Sequence, residues 1–157
     1  MKKIFLIIVI CLSFKTAQSL EAKIVYVIQN EIITSIDIKN EFKYLLALNN
    51  NLKRLDKEKI LVISNESIIR EKIKKIEISK NFKKIELNED YTNILLKNIY
   101  SRLNLNSIKE LELYLKGYDL TLNKIKKKII IDALWNELII QKYSSKININ
   151  EDKIKNG

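Results

Sequence analysis

Which chemistry this sequence can support is set first by what it lacks: histidine is absent, and glycine occurs only at Gly117 and Gly157. Without imidazole there is no serine–histidine or cysteine–histidine nucleophile pair, no histidine metal ligand and no ordinary acid–base group poised near neutrality. Two glycines so far apart cannot form a glycine-rich phosphate loop. Glu89 and Asp90 are adjacent acids that could act together, but they follow Asn88, where first-turn carboxylates complement a helix dipole. Serine and lysine are plentiful, yet no arrangement of them marks a nucleophile. The expectation is a protein with no catalytic residue, no cofactor, no metal and no small-molecule substrate.

Aromatic side chains are the remaining recognition chemistry. Tyr91, Tyr100, Tyr114, Tyr118, Trp135 and Tyr143 offer flat faces that bind extended peptides at low entropy cost. The same side chains serve equally as core or rim residues that keep a polar tip wet. Tyr100, Tyr114, Tyr118 and Trp135 are the candidate peptide-contacting residues. Asn65-Glu66-Ser67 fits the glycosylation acceptor pattern, but as three residues within an expected helix it reads as a chance match.

The elements that must position these residues are read from caps and periodicity, since the chain has no proline. Lys23 to Ile28 reads as a short strand and Glu31 to Ile33 as its return after Gln29-Asn30. Thr34 with Asp37, and Ser107 with Glu110, have capping-box spacing. Asn88, Thr121 and Asn150 are further helix starts. Helices are expected over about 35–48, with Ile38, Phe42, Leu45 and Leu46 inward, and over about 57–79, with Val62, Ile69, Ile73 and Ile76 inward. A third, over about 89–103, would bury Leu95, Leu96, Ile99 and Leu103. A short fourth from Ile108 carries Leu111, Tyr114 and Leu115 and stops at Gly117, a C-terminal glycine. The fifth, over about 122–143, is apolar on two sides. One stripe runs Leu122, Ile125, Ile129, Ala133, Ile140, Tyr143; the other runs Ile131, Leu134, Trp135, Leu138. A helix of that kind is sandwiched as a central strut. Lys84 to Asp90 is echoed by Lys146 to Asp152, which suggests two short strands that pair. The fold class is therefore mainly α: a small domain of about five to six helices, a short N-terminal β-hairpin and a pair of short strands.

The N-terminus follows the order of a secretory signal: Lys2 and Lys3, the apolar run Ile4 to Leu12, then Ala17-Gln18-Ser19. The run is about half the length a spanning helix requires, so cleavage between Ser19 and Leu20 and export to the periplasm are expected. Cys11 lies inside the apolar run as filler. Residues 20–157 then form one domain free of cysteine, hence without disulfides. The formal charge of +10 falls to +7 when Lys2, Lys3 and Lys15 are removed. Lysine, isoleucine and asparagine are inflated together, and Lys126-Lys127-Lys128 is the longest basic run, spread around a helix. The charge reads as solvated surface, not as a nucleic-acid site.

Segment 23–38, Lys-Ile-Val-Tyr-Val-Ile-Gln-Asn-Glu-Ile-Ile-Thr-Ser-Ile-Asp-Ile, resembles the opening of the N-terminal domain of SurA-type periplasmic chaperones. Leu103 to Leu111 and Leu115 to Thr121 are similar to that family's helix-loop-helix, and the long helix from Lys124 to Tyr143 follows in the same order, with an extended Ile147 to Ile149. The resemblance spans nearly all of 20–157. It implies ATP-independent holding of unfolded outer-membrane proteins in the periplasm. The family's parvulin prolyl isomerase domains and closing helix have no counterpart here, so isomerase activity is not implied. An apolar place left for that helix could stay open as a groove or be closed by self-association. The alternative expectation is an envelope assembly subunit with one fixed protein partner and no client binding.

Overall fold

The apolar alternation near the N-terminus forms a hairpin. β1 (Ile24–Ile28) and β2 (Glu31–Thr34) pair antiparallel, Val27 opposite Ile32 and Ile28 opposite Glu31, with a bulge between Ile24 and Tyr26. The connecting turn holds Gln29 at φ 53°, a left-handed conformation that is costly for a residue with a Cβ. The structure is a computed structural model and describes residues 22–144. The expected signal segment with its Ser19–Leu20 junction, the strand at 146–149 and the helix start at Asn150 lie outside the described residues.

Five α-helices follow: α1 (Ser35–Leu48), α2 (Lys57–Asn81), α3 (Glu89–Arg102), α4 (Ile108–Lys116) and α5 (Leu122–Tyr143), with a turn of 3-10 helix at Asn50–Arg54 between α1 and α2. Their starts are fixed locally. Thr34 closes a full capping box: its Oγ1 accepts from the Asp37 amide at 3.2 Å, and Asp37 Oδ2 accepts from the Thr34 amide at 2.8 Å. Asn88 Oδ1 accepts from Asp90 N at 2.7 Å, and Thr121 Oγ1 from Lys124 N at 3.4 Å.

Two expected termini differ in detail. Ser107 Oγ accepts from the Glu110 amide at 3.2 Å, but the Glu110 carboxylate reaches back to the Asn106 amide at 2.9 Å instead of to Ser107. Gly117 is not a left-handed cap, for it sits at φ −62°, ψ −16°. The left-handed position falls two residues later, at Asp119 with φ 55°. There the Leu120 amide donates to Leu115 O at 3.0 Å and the Asp119 amide to Lys116 O at 3.1 Å, the paired bonds that close a helix C-terminus. Asn104, at φ 59°, does the same for α3, with Leu105 N bonded to Tyr100 O at 2.8 Å. Short side chains that carry a hydrogen-bonding group stand in for glycine at both sites.

Burial gathers in three clusters. Ala47, Leu96, Ile99, Leu111, Leu115, Leu120 and Ile125 join α1, α3, α4 and α5. Ile33, Ile38 and Ile68 fasten the hairpin to α1 and α2. Ile78, Ile131 and Leu134 join α2 to α5, with Phe82, Ile85, Leu87 and Trp135 against them. At ~1.5–3 kcal/mol for each fully buried large aliphatic side chain, these contacts hold helices with no disulfide among them.

α5 passes from the first cluster to the third and is the strut its two apolar stripes foretold, but only in part. Ile125, Ile131, Leu134 and Leu138 are buried, whereas Ile140 is 65% exposed. The inward face of α2 is also not the expected one. Ile60, Ser64, Ile68 and Ile78 are buried, while Val62 and Ile73 face outward. On α1 the buried positions are Ile38, Glu41 and Ala47, with Phe42, Leu45 and Leu46 only half-buried. Lys84 to Leu87 forms no strand among the described residues. It is the extended link from α2 to α3, and Ile85 and Leu87 use it to reach the third cluster.

Candidate functional site

Two features of the helical body stand out, a buried charge network and a cleft beside it. The network begins with Glu41, 1% exposed among the apolar residues of α1. Ser67 Oγ on α2 donates to its Oε1 at 2.7 Å, and Lys128 Nζ on α5 lies 2.5 Å from its Oε2. That ammonium is off the line of a well-directed hydrogen bond, so Oε2 has a charge partner without an aligned donor. Lys128 also pairs with Glu71 of α2 and stands 4.6 Å from the centroid of the Tyr44 ring. Burial pulls the Lys128 ammonium down, but Glu41 and Glu71 outweigh it and hold its pKa above the ordinary lysine value. Burial pushes the Tyr44 phenol well above its usual range, with the charges of Asp132 and Glu41 adding to the effect.

The lysine run at 126–128 is therefore not wholly solvated surface. Lys127 faces water, while Lys128 is a core ion joining three helices. Ser67, the third residue of the glycosylation-like triplet, is committed to Glu41, and Asn65 Nδ2 donates to Leu61 O at 2.8 Å within α2. Sequence reasoning passed over the network, although a single acid inside the Ile38–Phe42–Leu45 stripe was its visible trace.

On the other side of Tyr44 lies a cleft of about 300 Å³ between α1, α3 and α5. Its walls are Tyr44 and Leu48 from α1, Tyr91, Leu95 and Ile99 from α3, and Ile129 and Ala133 from α5. Asn98, Arg102, Asp132 and Asn136 supply polar groups at its edge. Tyr91 is 48% exposed. Ile140 continues the Ala133–Asn136 face of α5 by one turn and stands in solvent. The outer apolar stripe of α5 is thus half used: Ile125 and Ile129 pack into the first cluster, Ala133 lines the cleft, and Ile140 is exposed.

The four aromatic candidates divide. Tyr114 and Tyr118 lie together, ring centroids 5.3 Å apart at 48°. Tyr114 Oη donates to Ala47 O at 2.8 Å, and burial together with the Tyr118 hydroxyl pushes its pKa up to about 12. Lys53, 5.6 Å from the Tyr118 ring, holds the Tyr118 phenol below its usual value. Tyr100 packs against the same first cluster, and Trp135 against the third. None of the four lines the cleft; Tyr44 and Tyr91 do. Among the described residues, no three cysteine, aspartate or glutamate side chains are placed to hold a metal ion, and no helix is long and apolar enough to cross a membrane. No family model, curated protein or solved structure matches the chain.

Proposed function

We propose that this protein is an ATP-independent binding module that holds apolar segments of unfolded or partly folded outer-membrane proteins in the periplasm, with the α1–α3–α5 cleft as its receiving surface. The observation that carries the reading is the unfilled face of α5. Its apolar stripe runs from the core into a cleft with an aromatic floor and then into solvent at Ile140. Exposed apolar surface rimmed by polar groups is the form that peptide-binding grooves take. A cleft of about 300 Å³ accepts one or two client side chains, which suits capture and release without a nucleotide. The SurA-like order of segments and the signal-like N-terminus support the same reading.

The test is light scattering from a denatured outer-membrane protein diluted into buffer with the purified chain. Near-stoichiometric amounts suppress aggregation, and Ile140→Lys, a change at an exposed position, weakens suppression while the helical circular dichroism stays the same. A folded wild-type chain that leaves aggregation untouched refutes the proposal. Recovery of one stoichiometric envelope protein, in place of a spread of clients, would point to an assembly subunit with a fixed partner.

A further inference from the structure

Away from the cleft, the hairpin leaves a sheet edge with unusual symmetry. The sheet has two strands, so the outer edge of β1 pairs with no described strand. It is also largely apolar and open: Ile24 and Val27 are each 64% exposed, with Val25, Tyr26 and Ile32 exposed beside them. Natural sheet edges are blunted by a central lysine, a proline, a bulge or coverage; β1 carries a bulge at Val25 but no lysine or proline between Ile24 and Ile28, and no described strand pairs with its outer edge.

The strand reads Ile-Val-Tyr-Val-Ile, the same in both directions about Tyr26. Antiparallel pairing of two such strands on a two-fold axis at Tyr26 sets Ile24 against Ile28, Val25 against Val27 and Tyr26 against itself. Beyond the apolar stretch, Lys23 meets the neutral Gln29, so no charge opposes its like within the ladder. Between Tyr26 and Ile28 the backbone agrees with that register, while the bulge at Val25 interrupts regular pairing at the residue Val27 would meet. Ile28 and Glu31 close a two-residue turn and so form a hydrogen-bonded pair, which makes Val27–Ile32 a non-bonded pair and Tyr26–Ile33 a bonded one. Tyr26 therefore spends its amide and carbonyl on β2, while Val27 turns its own toward the free edge, where Val25 of another copy would meet them. The bulge at Val25 adds twist and the turn at Gln29 ends the strand, so the ladder is short.

We propose that two copies of this chain pair through the β1 edge, giving a four-stranded sheet of order β2-β1-β1-β2 with Tyr26 on the axis. The contact is isologous, as closed dimers require. With so few residues a side it falls well below the ~800 Å² per partner of a standard interface, so the dimer is weak and concentration-dependent. The proposal does not depend on the reading of the cleft.

Cysteine trapping in the full chain tests it, in a Cys11→Ser background. Facing residues of a non-bonded antiparallel pair lie ~4.5 Å apart at Cα, within disulfide reach. Tyr26→Cys then gives a disulfide-linked dimer on mild oxidation, on the order of tenfold faster than Ile32→Cys, which is exposed on the far strand. Val27→Lys, with helical circular dichroism unchanged, shifts the sedimenting species toward monomer. Equal trapping at positions 26 and 32, or a dimer fraction untouched by Val27→Lys, would overturn the β1 interface.

Discussion

At the scale of single residues, the most consequential side chains are Glu41, an acid inside the apolar stripe of α1, and Lys128, a lysine of a run the pattern assigns to solvent, which pair in the core. A buried pair adds little net stability over apolar side chains of the same shape, yet breaking one half leaves a stranded charge. Lys128→Met should therefore cost about 3–5 kcal/mol, and Glu41→Leu combined with Lys128→Met should cost clearly less than the two single changes summed. Urea unfolding of the set measures this. The pH dependence follows from the same side chains. Because the folded Lys128 pKa lies above its usual value of 10.5, its contribution is complete below that pH and is lost as pH rises through the folded value. Glu31 has the opposite sign. Hydrogen bonds from Lys72 at 2.7 Å and Lys75 at 2.8 Å hold its pKa below the usual 4.5. Its contribution is present above 4.5 and lost as pH falls through the lower folded value. Glu31→Gln should flatten the acid limb of a stability profile and leave the alkaline limb alone. None of this pairing was legible in the sequence, because the partners lie on different elements, Glu31 on β2 and the others on three helices; only the lone acid within the α1 stripe hinted at it.

At the scale of elements, the sequence was most informative where a local hydrogen bond sets a boundary. Thr34, Asn88, Ser107 and Thr121 cap the helices their spacing foretold. Where tertiary contact chooses the face, periodicity was weaker. α2 has apolar residues on several sides, and the side it buries includes Ser64, whose hydroxyl donates to Ile60 O at 2.7 Å and so costs little to bury. α4 stops at Gly117 as expected, but the left-handed residue is Asp119, whose carboxylate also accepts from Lys43 at 2.7 Å. Thr34→Ala removes the hydroxyl arm of the capping box while the residue 34 amide still donates to Asp37, and should cost about 1 kcal/mol of stability, seen as a lower urea midpoint. Gln29→Gly, which relieves a left-handed backbone, should raise the midpoint by up to ~1 kcal/mol.

At the scale of the whole molecule, α5 was recognised as a strut from its two apolar stripes, but the stripes could not say that only one would be fully covered. The proposed binding function rests on the less covered half of the outer stripe, Ala133 and Ile140, on the opposite side of Tyr44 from the ion network that joins three helices. On the proposed reading, a rigid support beside an open cleft of mixed apolar and polar lining would hold a client without closing around it. The aromatic candidates drawn from the sequence, on and beside α3, α4 and α5, pack half-buried against the first and third clusters and not along the cleft, since sequence shows ring content but not which rings border empty space. Site-specific photo-crosslinking is the most direct measurement of the central claim. A photoreactive residue at Asn136, in the cleft wall, should label a denatured outer-membrane protein, while one at the exposed Glu112 on α4 should not. Equal labelling at both positions, or labelling at Glu112 alone, would contradict it.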